Sequence, residues 1–378
     1  MMFSLFPTQK KLTFKYCIIL VAVLSLNTMF AQEKQVRLGI AGLSHGHVGW
    51  ILSRENLDDV KLVGIVEQNK ELAKRLADQY GFSMTLVFDT LEEMIAATNP
   101  EAVAAFGTIY DHLSVVEACA PKGIHVMVEK PLAISLDHAK RMAGLARKHN
   151  IHLLTNYETS WYPTNVKAYE LLHDGAIGDL RKVIVRDGHR GMKVVGVDSE
   201  FVQWLTDPAL SGGGALMDFG CYGANLMTWM LHGKKPNSVT AVTQQLQPDV
   251  NPKVDDDATI ILKYDDKMAL LQPSWNWTIG RKDMELYGTT GVIYSDNHEQ
   301  LRVRMAEGYD GFSEETFKFE ERQSPFDDPF AVFAAVVRGE LELKEFDPYT
   351  LENNMITMEI LDAALKSADG GRTIELKD

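Results

Sequence analysis

Short apolar runs alternate with stretches of helical periodicity over the first half of the chain. The runs that have the length and composition of buried strands are Val36–Ala41, Leu62–Val66, Ala102–Phe106, Ile124–Val128 and Ile151–Leu154. Helices are predicted between them, through Trp50–Leu52, over Lys70–Tyr80, over Asp111–Ala120, and from an N-cap at Ser135 to Asn150. Buried strands that alternate with helices in this way predict a doubly wound parallel sheet, the Rossmann type of α/β fold.

The pattern changes near residue 157, where alternating apolar and polar positions replace the buried runs. Strands are predicted over Leu180–Asp187, Val239–Gln245, Thr259–Tyr264, Met268–Ser274 and Met284–Tyr287, and helices over Pro163–His173 and Leu351–Ser367. Alternation of this kind is typical of an antiparallel sheet with one covered face. We therefore predict a Rossmann domain over residues 33–157 and an α+β domain with a large, mainly antiparallel sheet over residues 158–378.

The first 31 residues have the pattern of a cleavable signal peptide. Three lysines precede the apolar run Tyr16–Leu26, and a small residue, Ala31, offers a cleavage point. The run is shorter than the roughly 20 apolar residues that a membrane span needs. We expect an exported, periplasmic protein that has no membrane segment after cleavage, with a retained N-terminal anchor as the alternative.

Charge and cysteine content exclude several classes of partner. The formal net charge is −14, and the predicted signal peptide contributes only lysines to it, so the remaining chain is more acidic still. An acidic chain argues against nucleic acid or an anionic membrane as a partner. Cys119 and Cys221 are too few for a disulfide framework and lack metal-ligand spacing, so no metal site is predicted.

A glycine-containing turn joins the first predicted strand to the first helix. Its candidate nucleotide-binding residues are Gly42, Ser44, His45, Gly46 and His47. A dinucleotide fingerprint has the pattern Gly-x-Gly-x-x-Gly, with backbone amides directed at the pyrophosphate. Here Ser44 and His47 occupy the second and third glycine positions, so the motif alone fits a tight strand–helix turn equally well.

Glu67 ends the second predicted strand, 25 residues after Gly42. An acidic residue in this place binds the ribose hydroxyls of a dinucleotide in Rossmann domains. A carboxylate also repels a 2′-phosphate, which favours NAD over NADP. The alternatives are a solvated strand-end acid, or Gln68 or Asn69 as the group that faces the ribose.

The segment Glu129-Lys130-Pro131 follows a buried strand directly. Pro131 prevents the strand from continuing and prevents a helix from starting before it. Lys130 would then lie at the carboxyl end of a sheet strand, where open α/β sheets bind their ligands. A partly buried lysine there can exchange a proton or bind an oxyanion, whereas a surface turn would leave it solvated.

Three glycines, Gly212–Gly214, precede a second candidate constellation. Asp218 and Tyr222 are four residues apart, so on one helix their side chains share a face. An acid and a phenol directed at one pocket can move a proton and orient a hydroxyl group. Alternatively, Asp218 caps the helix and Tyr222 is part of the core.

The order and spacing of these segments resemble the glucose–fructose oxidoreductase, inositol dehydrogenase and rhizopine-catabolism family, Gfo/Idh/MocA. The resemblance covers nearly the whole chain after the predicted signal peptide. It extends to Thr108 and His112, Gly178, Ser274-Trp275, and the closing SADGGRTIEL. It implies a Rossmann domain joined to a domain whose large sheet often mediates oligomers, so we expect a homo-oligomer, a dimer or a tetramer.

The resemblance also implies roles for particular residues. It makes Lys130 the substrate-contacting proton-transfer residue, with Asp218 and Tyr222 completing the catalytic set, although many members have His in place of Tyr222. A phenol in that role needs its pKa lowered by a cation such as Lys130. Thr108, His112 and Glu129 join Lys130 and the turn among the expected cofactor contacts. Asn156, Tyr157 and Trp161 are the expected substrate contacts, although Trp161 could instead pack at the domain junction.

The sequence therefore predicts an exported NAD(P)-dependent oxidoreductase that acts on a sugar, a polyol or a related cyclic alcohol. Export separates the enzyme from the cytoplasmic reactions that recycle NADH. One alternative is consequently a glycosidase that oxidises and re-reduces the sugar with bound NAD, so that no net redox change results. The other is a sugar-binding protein without catalysis, consistent with the glycines replaced by Ser44 and His47.

Overall fold

The computed structural model describes residue 1, residues 35–55 and residues 57–376, so residues 2–31 of the predicted signal peptide lie outside it. From Val36 onward the chain forms one compact unit. Among the helices of the described residues, none has both the length and the hydropathy needed to cross a bilayer.

The first sheet contains six parallel strands. They are β1 Val36–Ala41, β2 Val60–Val66, β3 Val87–Phe88, β4 Ala102–Ala105, β5 His125–Glu129 and β6 Leu153–Asn156. Their spatial order is β3-β2-β1-β4-β5-β6, with every neighbouring pair parallel. The order reverses between β1 and β4, and ligands bind beyond the carboxyl ends of the strands at such a reversal.

Helices connect these strands. They are α1 Val48–Leu52, α2 Lys70–Tyr80, α3 Leu91–Thr98, α4 Asp111–Cys119 and α5 Leu136–His149. The predicted N-cap of α5 is confirmed, because the Ser135 side chain accepts a hydrogen bond from the backbone N–H of His138. The helix ends at Asn150, whose φ of 51° is left-handed.

The second sheet contains nine strands. They are β7 Lys182–Gly188, β8 Ser238–Gln244, β9 Asp257–Lys263, β10 Met268–Ser274, β11 Arg281–Tyr287, β12 Gly291–Ser295, β13 Gln300–Glu307, β14 Gly311–Lys318 and β15 Ile374–Glu375. Their order is β14-β13-β12-β11-β7-β10-β9-β8-β15. Only β7 and β10 pair in parallel.

Eight further helices accompany this sheet. They are α6 Pro163–His173, α7 Met192–Val195, α8 Ser199–Leu205, α9 Pro208–Ser211, α10 Ala215–Asp218, α11 Gly220–Met230, α12 Pro329–Val337 and α13 Leu351–Gly370. Every residue of α11 is buried, between the sheet and α13. In contrast, α12 packs on the first sheet, where Phe330 lies 6.1 Å from Phe106, ring centre to ring centre.

The predicted fold class is confirmed, a Rossmann sheet followed by a mainly antiparallel sheet. The strands β3, β12, β13, β14 and β15 and the helices α3, α7, α8, α9 and α12 were not predicted from the sequence. Because β3 has two residues, it is too short to show a period. The edge strand β14 is polar and largely exposed on both faces, so it lacks the apolar alternation that marks a half-buried strand.

Candidate active site

Lys130 lies at the carboxyl edge of the first sheet, directly after β5. The residue is 5% exposed, so it is not a solvated turn residue. The ammonium group forms an ion pair with the Asp218 carboxylate and also donates to the Asp218 backbone oxygen at 3.1 Å. One contact therefore joins the end of a Rossmann strand to the segment after the three glycines.

Asp218 and Tyr222 do not share one helix, which corrects the prediction from their spacing. Asp218 ends α10, Phe219 interrupts the helical geometry, and Tyr222 lies in α11. The backbone N–H of Tyr222 bonds to the Phe219 oxygen at 3.2 Å. The interruption leaves the Asp218 carbonyl available to Lys130, so the break itself helps to hold the lysine.

Asp255 fixes the turn that carries Asp218. Its carboxylate accepts from the backbone N–H of Gly214 at 3.1 Å and of Leu216 at 2.7 Å. A Cβ on Gly214 would lie 1.8 Å from the Asp255 carbonyl oxygen, so this close approach requires glycine. The aspartates that precede β9 thus serve as backbone acceptors.

The carboxylate of Asp218 has a second donor, the indole Nε1 of Trp275, at 2.9 Å. Burial would raise the pKa of Asp218, but Lys130 outweighs burial and the pKa is lowered. Burial would likewise lower the pKa of Lys130, but Asp218 outweighs it and the pKa is raised. The buried pair is therefore ammonium and carboxylate at neutral pH.

Tyr222 is buried beside the lysine, with Lys130 Nζ 5.2 Å from the centre of its ring. Burial, followed by the charge of Glu158, raises the pKa of the phenol well above 10. The lowered pKa that a phenol needs in order to act as a general base is therefore not found. Tyr222 is consequently a hydrogen-bond donor at neutral pH, and the phenolate needed for a general base is disfavoured.

A second ion pair adjoins the same ring. Lys282 of β11 pairs with Glu158, which follows β6, and its Nζ lies 5.1 Å from the Tyr222 ring centre. Burial would raise the pKa of Glu158, but Lys282 outweighs it and the pKa is lowered. The Tyr162 hydroxyl donates to Glu158 at 2.6 Å.

Glu129, one residue before the lysine, is the centre of a hydrogen-bond chain. His47 Nδ1 donates to its carboxylate at 2.8 Å, and Asn156 Nδ2 donates to the other oxygen at 2.8 Å. Burial would raise the pKa of Glu129, but His47 and these hydrogen bonds lower it to about 2. The Asn156 oxygen in turn accepts from Trp161 Nε1 at 3.0 Å.

The turn after β1 uses several of its amides internally. The backbone N–H groups of Leu43, His45 and His47 bond to the Glu67 carboxylate, the Phe106 oxygen and His45 Nδ1, at 2.9, 2.8 and 3.1 Å respectively. Ser44 and Gly46 lie between these residues in the turn. Gly42 has a φ of 83°, and a Cβ there would lie 2.5 Å from the Gly107 nitrogen, so close backbone packing requires this glycine.

Glu67 and His45 place polar groups on this edge of the sheet. The Glu67 carboxylate also accepts from the backbone N–H of Asn69 at 2.8 Å, while the Asn69 side chain caps α2. Burial lowers the pKa of His45 well below 6.5, so the ring is neutral. Since Nδ1 accepts a hydrogen bond, Nε2 carries the proton, and this enclosed donor has no partner among the described residues.

Aromatic residues from α8 cover His45. The ring centres of Phe201 and Trp204 lie 4.8 and 5.8 Å from that of the histidine. The Nε1 of Trp204 is a second enclosed N–H donor that lacks a partner within the described chain. Ligand atoms of His45, His47 and Glu129 lie within 4.8 Å of one another, but the direct bonds of His47 to both neighbours already occupy this space.

Four expected contact residues have structural partners. The Thr108 hydroxyl donates to Asp111 at 2.7 Å at the start of α4. His112 Nδ1 lies 3.1 Å from the Leu132 oxygen, behind the lysine turn, and burial lowers its pKa to about 4. The fully buried Tyr157 packs edge-on against Tyr222, with 5.4 Å between ring centres. The Trp161 ring stacks on that of Tyr349, with 5.4 Å between ring centres.

Sequence reasoning missed Asp187, Lys282, Glu158, Asp255 and the α8 aromatic residues as members of this region. The first two meet only through the pairing of β7 with β11, which places Asp187 opposite Lys282. The predicted strand Met284–Tyr287 starts after Lys282, so no sequence pattern indicates that cross-strand pair. Trp275 was noted only as part of the family resemblance.

Comparison with known proteins agrees with this architecture. Residues 36–157 match the family model described as "Oxidoreductase family, NAD-binding Rossmann fold", and residues 165–294 match "GFO/IDH/MocA C-terminal domain". The chain therefore belongs to the GFO/IDH/MocA family of oxidoreductases, as the resemblance predicted. The enzyme class, an oxidoreductase with an NAD-binding Rossmann domain, is confirmed with it.

The sequence identity between this chain and individual relatives is low. The trans-1,2-dihydrobenzene-1,2-diol dehydrogenase of Xenopus tropicalis is 29% identical over 238 residues, which are 62% of this chain and 67% of the relative. An inositol dehydrogenase homologue from Azotobacter vinelandii, solved with NAD+, superposes with a TM-score of 0.78 at 19% identity, over 92% of this chain and 98% of the other. The structure of aldose–aldose oxidoreductase from Caulobacter crescentus superposes with a TM-score of 0.72 at 22% identity, over 91% of this chain and 100% of the other. The two structures support the fold alone.

Proposed function

We propose that the chain is an exported NAD-dependent oxidoreductase that transfers hydride to or from the carbon of a hydroxyl group in a sugar, a polyol or a related cyclic alcohol. The observation that carries the proposal is the buried Lys130 ammonium, which Asp218 holds at the carboxyl end of β5 beside Tyr222. This edge of a Rossmann sheet is where a nicotinamide dinucleotide binds.

The residues on this edge fit such a cofactor. The turn Gly42–His47 and the unpartnered Nε2 donor of His45 would hold the phosphate region, and Glu67 would hold the ribose. The carboxylate of Glu67 disfavours a 2′-phosphate, which supports NAD over NADP. When bound, NAD supplies the hydride acceptor or, as NADH, the donor.

The residues around the substrate would handle the proton. Lys130 is protonated, so in the direction of carbonyl reduction its Nζ donates a proton to the oxygen of the substrate as that oxygen becomes a hydroxyl. Asp218 and Trp275 keep the ammonium in place, and the neutral Tyr222 hydroxyl is a second donor. In the direction of alcohol oxidation, Lys130 must first lose its proton, so we expect faster oxidation at high pH.

The proposed substrate class is inferred from the names of the relatives and from the side chains next to Tyr222. The names of the relatives are those of enzymes for a dihydrodiol, inositol and aldoses. Next to Tyr222, Lys282 and Glu158 present groups that can hydrogen-bond hydroxyls, and Tyr162 adds an aromatic ring. These side chains could together bind a ring that carries several hydroxyl groups.

The proposal includes export and self-association. Export rests on the lysines and the short apolar run of residues 1–31. Self-association is supported by Val242, Ile261 and Met268 on the adjacent strands β8, β9 and β10, whose large apolar side chains are exposed. Light scattering of the purified chain, together with N-terminal sequencing of the protein from the periplasmic fraction, tests both.

Release of nucleotide on denaturation is the first experiment. We expect purified protein to release NAD or NADH, or to show a thermal shift when NAD is added. The absence of both results would contradict the proposal and favour a sugar-binding protein. If nucleotide is present, cleavage of an aryl glycoside without net NADH would favour the glycosidase, whereas net NADH from a free sugar or polyol supports the dehydrogenase.

A further inference from the structure

Two ion pairs adjoin the ring of Tyr222, and the family resemblance accounts for only one of them. Lys130 and Lys282 lie 5.2 and 5.1 Å from the ring centre, and each is paired with its own carboxylate, Asp218 and Glu158 respectively. The first pair contains the lysine of the Glu-Lys-Pro segment. The second pair is built from β11 and from the turn after β6, so it is a separate polar cluster on the same side chain.

Asp187 extends the second pair. It lies opposite Lys282 in the antiparallel pairing of β7 with β11, and directly opposed residues project from the same face of a sheet. Asp187 is 2% exposed, and its Oδ1 is enclosed without a partner among the described residues. Burial raises the pKa of Asp187 well above 3.8, although Lys282 opposes this effect.

Open space adjoins this cluster. The residue after Asp187, Gly188, lines a cavity of about 440 Å³ together with Tyr162, His189 and Lys282. The cluster is therefore adjacent both to a volume that can hold a small molecule and to the Tyr222 ring beside Lys130. Asp187 itself is one residue from the cavity wall, and its unpartnered carboxyl oxygen is a binding group that a ligand next to Lys282 could satisfy.

We propose that Asp187, Lys282 and Glu158 form a subsite that binds hydroxyl groups of an uncharged polyol and rejects substrates that carry a carboxylate or a phosphate. This inference rests on the proposed function, since it specifies which member of the substrate class the site takes. In this subsite each ammonium next to Tyr222 already has a carboxylate partner. A substrate anion would therefore meet no unpaired cation there, and it would be placed near the charge of Glu158.

The subsite predicts opposite effects for its members. Asp187→Ala removes a buried hydrogen bond to a substrate hydroxyl and should lower kcat/KM for an uncharged polyol by about 10- to 100-fold, mainly through KM. Asp187→Asn keeps a donor and an acceptor and should recover most of that loss. Glu158→Gln leaves Lys282 unpaired, so it should raise the preference for a sugar acid over the neutral sugar by at least about tenfold.

The test compares kcat/KM of wild type and the three variants for myo-inositol, D-glucose and D-xylose with that for D-glucuronate and glucose 6-phosphate. Lys234→Met is the matched control, because Lys234 forms an exposed ion pair with Asp265 outside this cluster. Circular dichroism and NAD affinity identify any variant that fails to fold. An unchanged preference in Glu158→Gln, or a loss of less than twofold in Asp187→Ala, would overturn the subsite.

The two proposals fail in different ways. If the wild-type chain binds NAD but turns over none of these compounds, the proposed function fails. The subsite is then tested separately, by measuring the binding of the same compounds with calorimetry. Binding of a neutral polyol that Asp187→Ala abolishes supports the subsite even then. Binding that Asp187→Ala leaves unchanged, or no sugar binding by the wild-type chain, refutes it.

Discussion

Replacement of Asp218 by Asn tests whether the buried ion pair controls the protonation of Lys130. The carboxylate accepts from Lys130 with one oxygen and from Trp275 with the other. An amide has a single acceptor oxygen, so one of the two buried donors loses its partner. Because Lys130 is 5% exposed, we expect the variant to lose about 3–5 kcal/mol of unfolding free energy at pH 7, the cost of one uncompensated buried charge.

The pH dependence of that loss distinguishes this mechanism from simple loss of packing. In Asp218→Asn, burial without a counter-charge holds the pKa of Lys130 below its unfolded value of 10.5. Between these two values the unfolded state binds more protons, so the stability of the variant rises with pH. Urea unfolding at pH 7 and pH 9 should therefore show a deficit that shrinks at pH 9.

The control adds the same substitution to Lys130→Met. The double variant contains neither titrating group of the pair, so its stability should not show the rise from pH 7 to pH 9 that is expected of Asp218→Asn. A deficit below about 1 kcal/mol at both pH values would mean that the pair is solvated. A deficit of equal size at pH 7 and pH 9 would refute the role of Asp218 in setting the charge of Lys130.

Three further predictions concern residues around the site. Asp255→Ala removes the acceptor of the Gly214 and Leu216 amides. Turnover should therefore fall at least about tenfold, while NAD affinity changes less than twofold. Equal losses of turnover and of NAD affinity would contradict a role of Asp255 in positioning α10. Glu67→Gln should shift the ratio of NAD to NADP affinity towards NADP by about tenfold in calorimetry, since it removes a charge that repels the 2′-phosphate, and an unchanged ratio would refute this. The pKa of His112 is about 4 when folded and 6.5 when unfolded, so it contributes stability that is lost as the pH falls from 6.5 towards 4, up to about 3 kcal/mol. In His112→Phe, urea unfolding should show a shallower decline of stability over this range, and an unchanged slope would contradict the prediction.

The sequence predicted the first sheet well because most residues of its longer strands are buried on both faces. Runs such as Val126–Val128 therefore contain no polar residue, and the one predicted N-cap, Ser135 of α5, is confirmed. The second sheet was predicted less completely. Its outer strands are half exposed or fully exposed, and β14, with the sequence Gly311–Lys318, has no apolar period to detect.

The site was predictable where function depends on contiguous residues. Lys130 follows a buried strand and precedes a proline, and that local pattern located it at the sheet edge. Lys282 and Asp187 carried no such signal, because only the register between β7 and β11 brings them together. The sequence left the protonation state of Tyr222 open, because that state depends on burial and on the carboxylate of Glu158, which raise the pKa of the phenol.

Transfer of deuterium from substrate carbon to the nicotinamide ring tests the central claim most directly. The NAD-loaded chain would be incubated with C-deuterated myo-inositol or glucose, and the nucleotide would then be analysed by mass spectrometry. The wild-type chain should yield NADH that carries deuterium on its nicotinamide ring, and Lys130→Met should yield none while it retains NAD. Bound NAD that acquires no deuterium from these substrates, or equal labelling in Lys130→Met, would contradict the account.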